Sequence, residues 1–107
     1  MGTTYGPQFD TLIRRLRKAF PLPETVSVIT AEGLKDDAHT VYFEHPKPTF
    51  VIYIRRGMSW GLAIDALIHE WGHVLDTSRT GIKETWADDH SDTWGACYAQ
   101  CYRVVHE

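Results

Sequence analysis

A strongly apolar helical segment near the middle of the chain carries three polar residues that a buried helix would normally avoid. The segment DALIHEWGHVLD (65–76) repeats its apolar residues at helical period. His69, Glu70 and His73 stand at its centre. A helix of this kind must bury one side against a core while its polar stripe faces an opening. The chain is therefore expected to fold around this helix, with a functional site along the stripe.

The patterns on either side of this helix predict one α+β domain over residues 1–107. Apolar residues at helical spacing predict an N-terminal helix that ends at Pro21. Predicted strands cover residues 25–30, 40–44 and 49–55, the central helix covers 60–76 with Ser59 as its N-cap, and a last helix covers 88–105. Runs of strands followed by runs of helices are typical of α+β folds. We expect a small three-stranded antiparallel sheet, preceded in the chain by the N-terminal helix and followed by the other two helices.

Composition agrees with a folded domain and gives no sign of a membrane protein. Of the 107 residues, 43% are hydrophobic and 12% aromatic, enough for one compact core. No apolar run approaches the roughly 20 residues that span a bilayer. The first residues, MGTTYGPQFD, lack the basic start and apolar run of a signal peptide. We therefore expect a cytoplasmic protein without a membrane partner.

The spacing of the two histidines is that of a zinc site built on one helix. His69 and His73 are four residues apart, so their imidazoles project from the same face. Both can reach one zinc ion at about 2.0–2.1 Å. Glu70 points about 100° further around the axis, toward a water on the open side of the metal. Zinc lowers the pKa of such a water to about 7, and Glu70 can take its proton as the water attacks a carbonyl. The alternative is an amphipathic helix that carries two histidines by chance.

A third zinc ligand is expected from the chain beyond this helix. A catalytic zinc takes three protein ligands and keeps one position open. The position six residues after His73, where a compact motif would have a further histidine, is Arg79. The downstream candidates are Glu84, Asp88, Asp89, His90 and Asp92. His90 is favoured because the loop after the central helix can return it to the site; its alternative is an exposed residue at a helix start.

The segment DDHSDTW (88–94), taken with HEWGH (69–73), resembles the SprT-like zinc metallopeptidases. In that family an HExxH helix is followed by a short loop and a histidine that opens another helix, with an aromatic residue four positions on. The matching residues are His69, Glu70, His73, His90 and Trp94. The chain departs from the pattern at Ser91 and Asp92, where the family usually has Gly-Pro, and it has no C-terminal zinc-ribbon cysteines. The resemblance covers roughly residues 50–102.

This resemblance implies a zincin-like fold and a zinc-dependent metallopeptidase. It implies zinc ligands at His69, His73 and His90, a general base at Glu70, and a protein or peptide as substrate. Zincins present an edge strand before the active helix, to which an extended peptide can add. Residues 49–55 are in the right place for that strand, with an inner strand as the alternative. Two other functions stay open: a zinc-binding interaction module without activity, and a metal-dependent hydrolase of a non-peptide amide.

A basic face on the first helix raises the question of a nucleic-acid partner. Arg14, Arg15, Arg17 and Lys18 form this face, and SprT-like relatives can act on DNA-bound proteins. The formal net charge is -3, which gives no electrostatic case for such a partner of the whole domain. A solvated helix face is favoured over a nucleic-acid contact. The sequence indicates no oligomeric state.

Supporting roles around the metal are open to several residues. Asp65 and Asp76 lie within one turn of the histidines and could accept hydrogen bonds from them, although solvent-facing caps and ion pairs explain the two aspartates equally well. Tyr53, Tyr98 and Tyr102 could assist a transition-state oxyanion, although packing is favoured for each.

The two cysteines are expected to be buried thiols. Cys97 and Cys101 lie one turn apart on one helix, a poor geometry for a disulfide. A metal site that uses them is the alternative.

Overall fold

The strand and helix patterns of the sequence form three helices and three strands. The computed structural model describes residues 4–81 and 92–107. The elements in chain order are α1 (Pro7–Ala19), β1 (Thr25–Ala31), β2 (Ala38–Phe43), β3 (Thr49–Arg55), α2 (Trp60–Thr80) and α3 (Asp92–His106). The predicted α+β class is confirmed. Within those residues, no helix combines the length and the apolar character needed to cross a bilayer.

The sheet is mixed rather than antiparallel, which corrects the expectation from the sequence. Its strand order is β1-β3-β2. β3 pairs with β2 antiparallel, as in a hairpin, and with β1 parallel. The chain reverses direction at each connection, so the first and third strands run the same way. They become parallel neighbours because β3 inserts between the first two strands. Alternating hydrophobicity predicts where strands lie, but it does not predict which strands are neighbours.

The position of β3 also corrects the predicted edge strand. β3 is paired on both sides and is therefore the inner strand. Its side chains Phe50, Ile52 and Ile54 are fully buried and pack in one apolar cluster with Leu67 and Trp71 of α2. A strand that is surrounded in this way contributes most of its apolar surface to the core. β2 is the edge strand on the side of α2 that carries the histidines.

Helix α2 begins at the predicted N-cap and ends later than predicted. The Ser59 hydroxyl accepts a hydrogen bond from the Leu62 N–H at 3.3 Å. The helix continues past residue 76 to Thr80, because the polar residues of its last turn are compatible with a helix. Gly81 adopts the left-handed conformation, with φ of 76°, and its N–H bonds to the Thr77 carbonyl. A glycine in this conformation ends a helix at no steric cost.

The basic side chains of α1 contribute to the fold. Arg14, Arg15, Arg17 and Lys18 are exposed, as a solvated face would be. The guanidinium of Arg17 also donates to the Val26 carbonyl, at 3.0 Å from Nε and 2.8 Å from Nη2. Nη2 of Arg15 donates to the carbonyl of Val104 on α3. These contacts join α1 to β1 and to α3.

Helices α2 and α3 pass close to each other at Gly72. A Cβ atom built on Gly72 would lie 3.1 Å from Trp94 Nε1 and 3.3 Å from both the N and Cα atoms of Tyr98. Two of these neighbours are backbone atoms, so they cannot move without a shift of α3. The absence of a side chain at Gly72 therefore sets the distance between the two helices.

We expect Gly72→Leu to destabilise the fold by about 1–3 kcal/mol, the usual cost of forcing extra atoms into a packed contact. Chemical denaturation followed by circular dichroism measures the free energy of unfolding. Gly61→Leu is the matched control on the same helix, because a Cβ atom there meets nothing within 4 Å. That control should be neutral or slightly stabilising, since leucine favours a helix over glycine. Equal unfolding free energies for the two variants would contradict the close approach.

Candidate metal centre

The two histidines of α2 bring their ring nitrogens together. Nε2 of His69 lies 3.1 Å from Nε2 of His73. Two nitrogens bound to one tetrahedral zinc ion would be about 3.3 Å apart, given zinc–nitrogen distances of 2.0–2.1 Å. The pair is therefore spaced as two ligands of one ion would be. The same separation allows an N–H···N hydrogen bond, which can hold the pair together without a metal.

Glu70 lies closer to the histidines than its sequence position suggested. Its carboxylate lies within 4.8 Å of the ring nitrogens of His69 and His73, near enough for all three to hold one ion. Only 8% of Glu70 is exposed. Its Oε1 accepts a hydrogen bond of 2.7 Å from the hydroxyl of Thr40 on β2. This contact between the edge strand and α2 is not apparent in the sequence.

Trp94, the aromatic residue of the resemblance to SprT-like metallopeptidases, packs against both histidines. Its ring centroid lies 5.1 Å from that of His69 and 5.4 Å from that of His73. Its Nε1 donates to the His69 carbonyl at 3.3 Å. A large ring against two imidazoles limits their rotation, so Trp94 helps to keep the two nitrogens convergent.

Most candidates for the third ligand lie outside the described residues. They are Glu84, Asp88, Asp89 and His90. Asp92 is described; it is exposed in the first turn of α3. Within residues 4–81 and 92–107, the one group of three or more potential metal ligands is His69, Glu70 and His73. The assignment of His90 as third ligand stays a prediction.

The supporting residues named from the sequence occupy different places. The Tyr98 hydroxyl donates to Asp65 at 3.3 Å, and the Tyr98 ring packs at a tilt on Trp94 with 5.2 Å between centroids, so Asp65 and Tyr98 border the site. Burial, followed by the charge of Asp65, raises the pKa of Tyr98. Tyr53 stacks on His39 on the face of the sheet away from the core. Asp76 has a buried oxygen without a hydrogen-bond partner in the described part of the chain.

An open cleft of about 500 Å³ borders the polar stripe of α2. Its other wall is the turn before β2 and the end of β3, including Lys35, Asp36 and an Arg55–Asp37 ion pair of 2.6 Å. Nothing local in the sequence indicates that this polar turn faces a helix thirty residues later. The cleft gives a ligand access to the histidines and Glu70.

The cysteines stand apart from the candidate site. Cys97 and Cys101 are free, buried thiols, and Arg79 donates to the Cys97 sulfur at 3.5 Å. Burial raises the pKa of Cys97, and it raises the pKa of Cys101 to about 12. Thiols are metal ligands and nucleophiles only as thiolates. These two side chains therefore suit a packing role.

We expect iodoacetamide at pH 8 to alkylate Cys101 far more slowly in the folded protein than in denaturant. Because burial raises the pKa of Cys101 from 9.0 to about 12, little of this thiol is present as the reactive thiolate at pH 8. By the same shift, the contribution of Cys101 to the free energy of unfolding is fully present below pH 9.0 and is lost as the pH rises toward about 12. Mass spectrometry of timed samples measures the alkylation rate of each cysteine. Equal rates in the folded and unfolded protein would contradict the burial.

Comparisons of the chain with protein-family models, with curated proteins and with solved structures found no match. The evidence for a metal centre is therefore the convergence of His69, Glu70 and His73 on α2.

Proposed function

We propose that the protein is a zinc-dependent metallopeptidase. The observation that carries the proposal is the convergence of His69, Glu70 and His73 at the wall of an open cleft, on one helix and at ligand spacing. The nitrogen separation of 3.1 Å fits zinc, and neutral imidazole is one of its common ligands. His69 and His73 would hold the ion, with His90 as the third ligand that the resemblance to SprT-like metallopeptidases implies.

In this proposal Glu70 moves the protons of the reaction. Zinc, when bound, acidifies a water and polarises the carbonyl of the substrate. Glu70 takes the proton of the attacking water and later returns it to the leaving amine. Its burial supports this role, because a poorly solvated carboxylate beside an open cleft has few competing partners.

The substrate in this proposal is an extended peptide that lies along β2. Among the described strands, β2 has an unpaired edge beside the site, and Thr40 of this strand contacts Glu70. Main-chain hydrogen bonds to such an edge bind a peptide with little dependence on its sequence. The cleft wall at Lys35 and Asp36 would then select among side chains.

We also place the protein in a reducing compartment, the cytoplasm. Cys97 and Cys101 are free thiols one turn apart on α3, and unpaired thiols are usual in a compartment that keeps them reduced.

A catalytically silent zinc-binding module is the second candidate. The short distance from Glu70 to the histidines favours the silent module. A carboxylate ligand would complete a His-Glu-His set and could leave the metal without an open coordination position for a water. A hydrolase of another amide would use the same residues as the peptidase, so it differs only in its substrate.

Metal analysis and a peptide-cleavage assay on the same preparation test the proposal. We expect one zinc per chain and cleavage of a mixed peptide library, with both lost after 1,10-phenanthroline and restored by added zinc. Stoichiometric zinc without cleavage of any peptide or amide substrate would favour the silent module. A protein that binds no zinc would contradict both functions.

A further inference from the structure

A hydrogen bond joins the edge strand β2 to the Glu70 carboxylate on α2. The Thr40 hydroxyl donates to Glu70 Oε1 at 2.7 Å. Both residues are buried, with 9% of Thr40 and 8% of Glu70 exposed. Among the described residues, Thr40 is the one hydrogen-bond partner of the Glu70 carboxylate. A buried carboxylate with a single donor depends on that donor for its orientation.

Two roles are open to Glu70 at this position. Its carboxylate is within ligand distance of the two ring nitrogens, so a rotation of the side chain could direct an oxygen to the metal. A carboxylate bound to the metal fills the open position and cannot also serve as the proton acceptor. The balance between base and ligand therefore depends on what holds Glu70 in place.

We propose that Thr40 is a positioning residue that keeps Glu70 as the proton acceptor and prevents it from becoming a metal ligand. This inference rests on the proposed zinc-dependent function and deepens it. By engaging Oε1, the Thr40 hydroxyl holds one carboxylate oxygen toward β2. The other oxygen makes no hydrogen bond to a described residue, and Glu70 borders the cleft where the attacking water would enter.

The fold gives Thr40 the rigidity that this role requires. Thr40 pairs with Ile52 in the middle of the β2–β3 ladder, and Ile52 is fully buried. A β-branched side chain has few rotamers in a strand, so its hydroxyl has little freedom. His39 and Val41, its neighbours in β2, point to the opposite face of the sheet. Of residues 39–41, Thr40 is thus the one whose side chain faces α2.

The test compares Thr40→Val, which removes the hydroxyl at nearly constant shape, with Thr40→Ser, which keeps it. Titration of each metal-free protein with Co²⁺, followed by visible absorption, reports on the ligands around the ion without any turnover. We expect Thr40→Val to shift the Co²⁺ spectrum through an added carboxylate ligand, and to bind zinc as tightly as wild type or more tightly. Its kcat should fall about 10–100-fold at unchanged KM, the usual scale for outer-shell residues. Thr40→Ser should restore the spectrum and kcat.

Thr30→Val is the matched control. Thr30 also lies on an edge strand, opposite Ile54 in the β1–β3 ladder, and makes no hydrogen bond to Glu70. It should leave the spectrum and kcat unchanged. If Thr40→Val does not fold, Thr40→Ala removes the same hydroxyl and takes its place.

An unchanged Co²⁺ spectrum and kcat in the valine variant would overturn the inference. So would a loss of zinc affinity in step with activity that serine does not restore, because that result means Thr40 only supports the fold. If the proposed function itself is wrong, the result differs from both of these, because the wild-type protein would then bind no zinc or cleave no peptide. The spectral comparison applies even to a protein that binds metal without turnover.

Discussion

Replacing Glu70 with glutamine is expected to lower kcat for peptide cleavage by about 10²–10⁴-fold, the usual contribution of a general base, while zinc stays bound. Glutamine has nearly the same shape, and its carbonyl oxygen can still accept the hydrogen bond from Thr40. An amide cannot take up the proton of the attacking water. The change therefore removes the chemistry of Glu70 and keeps its packing. Steady-state kinetics and metal analysis on one sample measure both effects.

The matched control for this change is Glu44→Gln. Glu44 is exposed just after β2, and its replacement should leave kcat unaltered. Activity in Glu70→Gln close to that of wild type would contradict the proton-transfer role of Glu70. A variant that also loses its zinc would instead indicate that Glu70 is a ligand, as in the silent module.

Replacing His73 with alanine is expected to abolish stoichiometric zinc binding. Only 3% of His73 is exposed, and its Nε2 is 3.1 Å from that of His69, so it supplies half of the pair on α2. A lone imidazole from this helix would leave the ion with too few protein ligands for a stable site. Metal analysis after dialysis and calorimetric titration of the metal-free protein measure the loss.

His106→Ala provides the comparison for that experiment. His106 lies at the exposed end of α3, where its ring contacts that of Tyr102, and its replacement should not affect zinc binding. Full zinc occupancy in His73→Ala would refute the metal centre on α2. Circular dichroism of both variants separates the loss of a ligand from a loss of fold.

Much of the fold could be predicted because its elements follow local rules. The period of the apolar residues and the N-cap at Ser59 predicted α2, and β-branched runs predicted the three strands. Strand order depends on long-range packing, which these rules do not contain. The sequence shows that residues 49–55 are apolar enough to be buried, but an edge strand and an inner strand can have similar patterns.

One part of the candidate site could be predicted from local rules, and another part could not. The spacing of His69 and His73 predicts their convergence, because both lie on one helix whose geometry is regular. Thr40 could not be found in this manner, since it reaches Glu70 only through the pairing of β2 with β3. Its one local signal is a hydroxyl on the core-facing side of a strand, between Ala38 and Tyr42. A polar group at such a position needs a partner, and the partner's identity requires the tertiary structure.

The close contact at Gly72 narrows the sequence signature by which related chains could be recognised. The general motif leaves two positions free between glutamate and the second histidine. In this structure the first of them, Trp71, is fully buried in the core, and the second must lack a side chain where α3 crosses. A chain with this helix arrangement should therefore read H-E, a large apolar residue, G and H, with a tryptophan in the following helix. A bulky residue in place of the glycine would mark a protein whose last helix packs elsewhere.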